Sequence, residues 1–204
     1  MERATRDPDG TLVALEADPA DAEHDRLARE AGLELTRDVL QMRCPLPAPD
    51  PEPLELRSFR PGLDDEAFLE VNNRAFAWHP DQSGWTAAEL REREAEPWFD
   101  ADGFLLHERD GRLAGFCWTK VHPATDDDPA LGEIYVIAVD PAYHGLGLGR
   151  ALTLAGLRHL ADRGLRHGML HVEADNLPAR RLYEDLGFMV HRSHRWWGPA
   201  DPPQ

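Results

Sequence analysis

Proline stands at positions 45, 47, 49, 51 and 53. Each one removes a backbone donor, fixes φ, and drives the residue before it out of the helical region, so residues 44–53 read as an extended linker. The 204-residue chain is thereby cut into 43 residues before the run and a segment over 54–198 that is large enough for one domain.

Downstream of the prolines the pattern alternates between strand and helix. Residues 54–59 alternate like a strand, and helical patterns follow near 63–76 and 86–96, the second with Thr86 as N-cap. Asp110-Gly111 between apolar runs at 103–108 and 112–121 predicts a hairpin. Residues 133–139 predict a buried strand, apolar on both faces except at its first residue, Glu133. A glycine-rich turn then leads into an amphipathic helix that ends near Arg163 with Gly164 as cap. A strand at 169–173, a short helix opened by Asn176 and Pro178 and closed at Gly187, and a strand at 188–197 complete the order β-αα-β-β-β-α-β-α-β. This is a mixed α/β sheet domain.

The first 43 residues contain a partial repeat of the end of that domain. Val13-Ala14-Leu15-Glu16-Ala17-Asp18 matches Leu170-His171-Val172-Glu173-Ala174-Asp175 as a strand running into Glu-Ala-Asp. Arg26-Leu27-Ala28-Arg29-Glu30-Ala31-Gly32 then matches Arg181-Leu182-Tyr183-Glu184-Asp185-Leu186-Gly187, and a strand follows each glycine. Residues 1–43 therefore read as the C-terminal third of a second copy, in which Ala28 stands opposite Tyr183.

Lys and Arg number 22 against 38 Asp and Glu, a net charge of −16. That balance argues against nucleic acid or an anionic membrane as partner, because both demand a basic face. Two distant cysteines, Cys44 and Cys117, make no disulfide framework, and with no apolar leader or 18-residue apolar run the expectation is a cytoplasmic protein. One lysine, Lys120, stands among the 22 basic residues. The histidines and tryptophans of the last strand, His191, His194, Trp196 and Trp197, read as solvated and sheet-packing groups, and no metal is expected.

Chemistry concentrates in Asp140-Pro141-Ala142-Tyr143-His144-Gly145-Leu146-Gly147-Leu148-Gly149-Arg150, between the buried strand and a helix. Glycines let the backbone approach a ligand, and the open amides of a helix N-terminus suit a pyrophosphate. No Gly-Lys-Ser/Thr follows, which excludes a Walker loop, and the spacing of Gly145, Gly147 and Gly149 is wrong for a dinucleotide fingerprint.

The segment 144–149 resembles the (Gln/Arg)-x-x-Gly-x-(Gly/Ala) motif of the GCN5-related N-acetyltransferases, with His144 at the position of the usual Gln or Arg. The preceding strand, the Glu173-Ala174-Asp175-Asn176 strand end and the Leu182-Tyr183 to Gly187-Phe188 helix lie where that family has them, so the resemblance covers 54–197. Within the family, Val71-Asn72-Asn73-Arg74-Ala75-Phe76, His79-Pro80-Asp81-Gln82-Ser83-Gly84-Trp85, Trp118-Thr119-Lys120-Val121-His122-Pro123 and Gly132-Glu133-Ile134-Tyr135-Val136 are similar to the C-terminal half of the mycothiol synthases, a tandem branch. Leu40-Gln41-Met42-Arg43 resembles the end of that branch's first domain, and the tandem plan would explain the repeat.

The resemblance implies an α/β fold whose mixed, mostly antiparallel sheet is splayed between two parallel strands and flanked by helices. It implies acetyl-CoA as co-substrate, held at the strand edge Ile137, Ala138 and Val139, at the turn His144, Gly145, Leu146, Gly147, Leu148, Gly149 and Arg150, and at Asn176 and Arg181. Glu133 is the candidate base for an amine that is mostly ammonium at neutral pH, acting directly or through a water, and Tyr183 the candidate proton donor to the departing thiolate. Ala28 has no proton to give, so the first copy reads as non-catalytic. The acceptor implied is the cysteinyl amine of cysteinyl-glucosaminyl-inositol, contacted by Asp81, Lys120, Glu133 and His171. Asp81 replaces a usual glutamate and His171 a usual tyrosine, which leaves two alternatives open: an N-acetyltransferase of another small-molecule or peptide amine, and a non-catalytic acyl-CoA-binding module.

Overall fold

Local sequence signals set most element boundaries in the computed structural model, which describes residues 1–50, 53–79 and 82–200. In chain order the elements are β1 (Glu2–Arg6), β2 (Leu12–Ala17), α1 (Ala22–Glu30), β3 (Leu33–Pro45), β4 (Arg57–Ser58), α2 (Asp65–Ala75) and α3 (Ala87–Glu94). There follow β5 (Phe104–Arg109), β6 (Arg112–His122), β7 (Leu131–Val139), α4 (Leu148–Asp162), β8 (His167–Glu173), α5 (Leu177–Asp185) and β9 (Met189–Pro199). Short 3-10 turns at Ala101–Gly103 and Pro141–Tyr143 precede β5 and follow β7.

Two compact units result, one of residues 1–43 with 170–200 and one of residues 44–169. In the first, the strand order is β1-β2-β9-β3-β8, the last represented by its C-terminal half. β9 lies between β2 and β3 and is antiparallel to both, with Leu15 opposite Trp197 on one side and Val39 opposite His194 on the other. The two halves of the sequence repeat thus interchange final strands: β9 sits beside β2, and β3 beside β8. The repeated helices also end alike. α1 and α5 each span nine residues and are followed by one cap residue and a glycine in the left-handed region, Gly32 and Gly187. The buried residue of α1 is Ala28 and that of α5 is Tyr183. Leu15, Ala17, Ala28 and Trp197 form one buried apolar cluster of this unit.

The second unit carries the antiparallel order β7-β6-β5-β4. One face is filled by an aromatic cluster in which Phe104 stacks between Phe59 and Trp118, with centroids 4.3 and 4.5 Å away, and Phe68 of α2 meets Phe104 and Phe116 edge-on. Burying a ring of this size contributes about 1.5–3 kcal/mol each, which makes this face the main source of the unit's stability. α4 covers the opposite face. It comes close because Gly156 has no side chain: a Cβ there would lie 2.5 Å from Cys117 Sγ and 2.7 Å from Ile134 Cδ1.

The α/β class and the mostly antiparallel sheet match the expectation. The strand expected over 54–59 is much shorter, only Arg57–Ser58 pairing with Leu106 and Leu105, although β5 runs on to Arg109; before Arg57 the carbonyl of Glu55 meets the His107 ring, 2.9 Å from its Nδ1. β7 begins two residues earlier than expected, so Glu133 is not its first residue but its third, and is buried at 6% exposure. β1 has no counterpart in the sequence reading; it pairs along β2 from Glu2 opposite Ala17 to Arg6 opposite Leu12.

Candidate active site

The placement of Glu133 depends on an irregularity in the β6–β7 ladder. Trp118 is opposite Val136, but Thr119 is opposite Ile134, which leaves Tyr135 as an extra residue on β7. An extra residue reverses the alternation of side chains beyond it. Ile134 accordingly faces α4, where it meets Gly156, and Glu133 comes to the other face, directly opposite Lys120. In an unbroken ladder Glu133 would point into the α4 packing.

On that face His122, two residues beyond Lys120, closes onto Glu133 with Nε2 2.7 Å from Oε2. The carboxylate side chain is 8% exposed and the imidazole 34%. Lys120 lays its ammonium over the ring of Trp98 at 4.2 Å and near that of Tyr135 at 5.2 Å, cation–π contacts that seat the lysine head against the two rings. Tyr135 in turn accepts a hydrogen bond from Arg93 Nε of α3 at 3.3 Å. The second unit therefore gathers a carboxylate, an imidazole, a lysine and two aromatic rings on one patch of sheet.

At the C-terminal end of β7 the chain enters the glycine turn. Asp140 organises it: Oδ1 accepts from Ala142 N at 2.9 Å, Oδ2 accepts from Arg74 Nη2 at 2.5 Å, and its own amide donates to Ala114 O at 2.9 Å. Burial opposes the charge on Asp140, but the Ala142 amide and the Arg74 guanidinium outweigh it and hold the carboxyl below its ordinary range. Gly147 is the N-cap of α4, left-handed at φ +76 and with no side chain to cap the helix. The first helical bond runs from Ala151 N to Gly147 O, so the amides of residues 148–150 point outward with the partial positive charge of a helix start. A Cβ at Gly145 or Gly147 would meet nothing within 4 Å, so the turn is an open cradle lined by backbone. This fits an anionic pyrophosphate and a pantetheine lying along the half-buried Ile137 and Val139 with Ala138 between them. His144 Nε2 lies 3.0 Å from Val139 O and so ties the turn back to its own strand. Leu146 and Arg150 are exposed, whereas Leu148 is buried.

In the first unit, His171 on β8 is exposed, and its Nε2 lies 3.4 Å from Gln41 Nε2, while Gln41 Oε1 accepts from Arg43 Nε at 2.8 Å. Asn176 caps α5 through Oδ1 and Ala179 N at 3.3 Å, Arg181 is exposed, and Tyr183 is buried with its ring 5.8 Å from that of Phe188. Asp81 lies outside the described residues. The chain after that position is fastened to α2, since Asn72 Nδ2 donates to Gln82 O at 3.0 Å and Asn73 exchanges two 2.9 Å bonds with the backbone of Trp85.

Three features were not read from the sequence: His122, the Trp98–Tyr135 seat for Lys120, and the Arg74–Asp140 pair. The Trp118-Thr119-Lys120-Val121-His122 run carried the first, since Lys120 and His122 share a strand face by period two, but only the ladder register tells which residue they face. One expectation is corrected. His194 is not a solvated histidine: it is 2.9 Å from Glu16 Oε1 and stacks on Trp196 at 3.7 Å. Both cysteine thiols are free and buried, with burial pushing each up to about 12. No group of His, Cys, Asp and Glu among the described residues is arranged to hold a metal, and no described helix is long and apolar enough to cross a membrane.

Comparison with known proteins accords with this geometry. The mycothiol acetyltransferase of Thermomonospora curvata is 56% identical over 168 residues, covering 79% of this chain and 55% of that protein. That of Thermobispora bispora is 54% identical over 169 residues, covering 80% and 57%. This chain thus spans about half the length of the curated relatives it matches. Among solved structures, a GCN5-related N-acetyltransferase from Sphaerobacter thermophilus superposes with a TM-score of 0.68 at 26% identity, covering 91% of this chain and 60% of that one. The model of the acetyltransferase (GNAT) family matches residues 67–188, and with the open glycine cradle at the end of β7 this chain belongs to that family.

Proposed function

We propose that this chain transfers an acetyl group from acetyl-CoA to the cysteinyl amine of cysteinyl-glucosaminyl-inositol, giving mycothiol and CoA. The observation that carries the reading is the buried Glu133 carboxylate, turned by the β7 bulge onto the face of Lys120, on the strand that runs into the uncapped start of α4. The naming of relatives about half identical to this chain as mycothiol acetyltransferases supports the choice of acceptor.

Acetyl-CoA, when bound, supplies a thioester carbonyl as electrophile. The amides at 145–150 hold its pyrophosphate, and a backbone amide of the β7 edge stabilises the negative charge that develops on the carbonyl oxygen. Glu133 takes one proton from the acceptor ammonium, the freed lone pair forms the N–C bond as the C–S bond breaks, and the second proton on that nitrogen passes to solvent as the amide forms. Tyr183 gives its phenolic proton to the departing sulfur. Lys120 and His171 bind the sugar and inositol hydroxyls, with Asp81 a third contact. Asn176 and Arg181 contribute to the CoA site. Residues 1–43 descend from the end of a first, non-catalytic copy, a reading supported by the interchanged strands and by Ala28 standing where the second copy has Tyr183.

The test is CoA release by the purified chain with acetyl-CoA and cysteinyl-glucosaminyl-inositol, beside simple amines and peptide N-termini. Turnover that needs the cysteinyl sugar and falls by about two orders of magnitude or more in E133Q is expected. A chain that ignores the cysteinyl sugar but acetylates other amines belongs to the second reading, which the substitution of His171 for tyrosine favours.

A further inference from the structure

The Glu133–His122 contact has no part in the chemistry described so far. An ionised carboxylate can only accept hydrogen bonds, so in the resting pair the imidazole is the donor and its Nε2–H points at Oε2. Glu133 is nearly sealed from water, while His122, in contact with it, is one-third exposed. A buried carboxylate without donors is costly and reverts to its neutral form, which is useless as a base.

We propose that His122 is a positioning residue for acetyl transfer, its Nε2–H fixing the orientation of the Glu133 carboxylate and keeping it ionised to receive the proton of the acceptor amine. The proposal rests on the reading of Glu133 as base. During the step one proton of the acceptor ammonium passes to Glu133, the N–C bond forms as the C–S electron pair leaves with sulfur, sulfur takes its proton from Tyr183, the second nitrogen proton passes to solvent, and His122 keeps its own Nε2 proton. Tyr135 on β7 and Arg93 from α3 also lie at this patch, bonded to each other. α4 turns His159 and Arg163 to Asp100 instead. α2 turns Arg74 to Asp140 and Glu70.

The test compares H122Q, whose side-chain amide can donate from about where Nε2 lies, with H122L, which cannot, in the full chain with acetyl-CoA and the acceptor that it turns over fastest. H122L is expected to lower kcat on the order of 10- to 100-fold with the KM for acetyl-CoA unchanged, and H122Q to restore kcat to within about threefold. In H122L the acid limb of kcat/KM for the acceptor should move to higher pH, because a buried carboxylate that has lost a donor is protonated more readily, and in H122Q it should return to the wild-type position, a change that simple packing would not produce. Wild-type kcat in H122L, or an H122Q as slow as H122L, overturns the proposal while leaving Glu133 standing. An E133Q variant at the wild-type rate fells the reading of Glu133 and the role of His122 with it.

Discussion

Replacing Asp140 separates what holds the glycine turn from what the turn does. In D140A the Ala142 amide loses its cap, a loss of about 0.5–2 kcal/mol by analogy with other side-chain caps. The Arg74 pair is lost too, but that guanidinium is 47% exposed, so solvent screening limits its share to about 0.5–1 kcal/mol. The two together give about 1–3 kcal/mol, or roughly 2–12 °C in Tm for a chain of this size. D140N keeps an oxygen for Ala142 and loses only the charge, so it should fall by about 0.5–1 kcal/mol. Because the native carboxyl is held below its ordinary range, this stabilisation is present at neutral pH and drains away on the acid side, below about pH 4, as the folded-state group takes up its proton. Thermal unfolding followed by circular dichroism at pH 7 and pH 3.5 should show the wild type and D140N converging in acid. The KM for acetyl-CoA should rise several-fold in D140A with less change in kcat, since the cradle loses its anchor but Glu133 is untouched. A D140A protein within about 0.5 kcal/mol of wild type, or one indistinguishable from D140N, would refute the assignment of the cap.

Two further substitutions probe the same frame. G147A places a methyl group in open space, so its cost is conformational, about 1–2 kcal/mol for a left-handed non-glycine residue, and calorimetry should show weaker acetyl-CoA binding with the fold intact. N73A removes both bonds to the Trp85 backbone, costs about 1–3 kcal/mol, and should speed amide exchange at Trp85 and raise the KM for the acceptor more than that for acetyl-CoA.

Local chemistry made much of this molecule legible in the sequence. Thr86 caps α3 with Glu89 returning the bond, Asn176 caps α5, and Asp110-Gly111 turns the β5–β6 hairpin, because each depends on residues within four positions of itself. β4 was overestimated because the alternation of 54–59 cannot show that the Glu55 carbonyl meets the His107 ring where the β5 edge continues. The bulge at Tyr135 left no mark in an apolar run from Ile134 to Val139, yet it decides which face Glu133 occupies. Glu133 was recognisable as a lone carboxylate in that run, but His122 was not recognisable as its partner, because 11 residues and a strand register separate them. The aromatic seat of Lys120 draws Trp98 from outside the sheet, which period-two reasoning cannot reach.

The interchange of β9 and β3 bears on how the chain comes together during synthesis. Contacts such as Thr36 with Trp196 and His194 with Glu16 join residues 160 and 178 positions apart. At about 5–20 residues per second, β2 and β3 leave the ribosome several seconds or more before the strand that belongs between them. Until then they expose unpaired edges, and the closure they await is entropically slow. The expected consequence is a folding order in which the aromatic core of residues 44–169 consolidates first and the first unit is completed last, when residues 189–199 slot between strands made at the start.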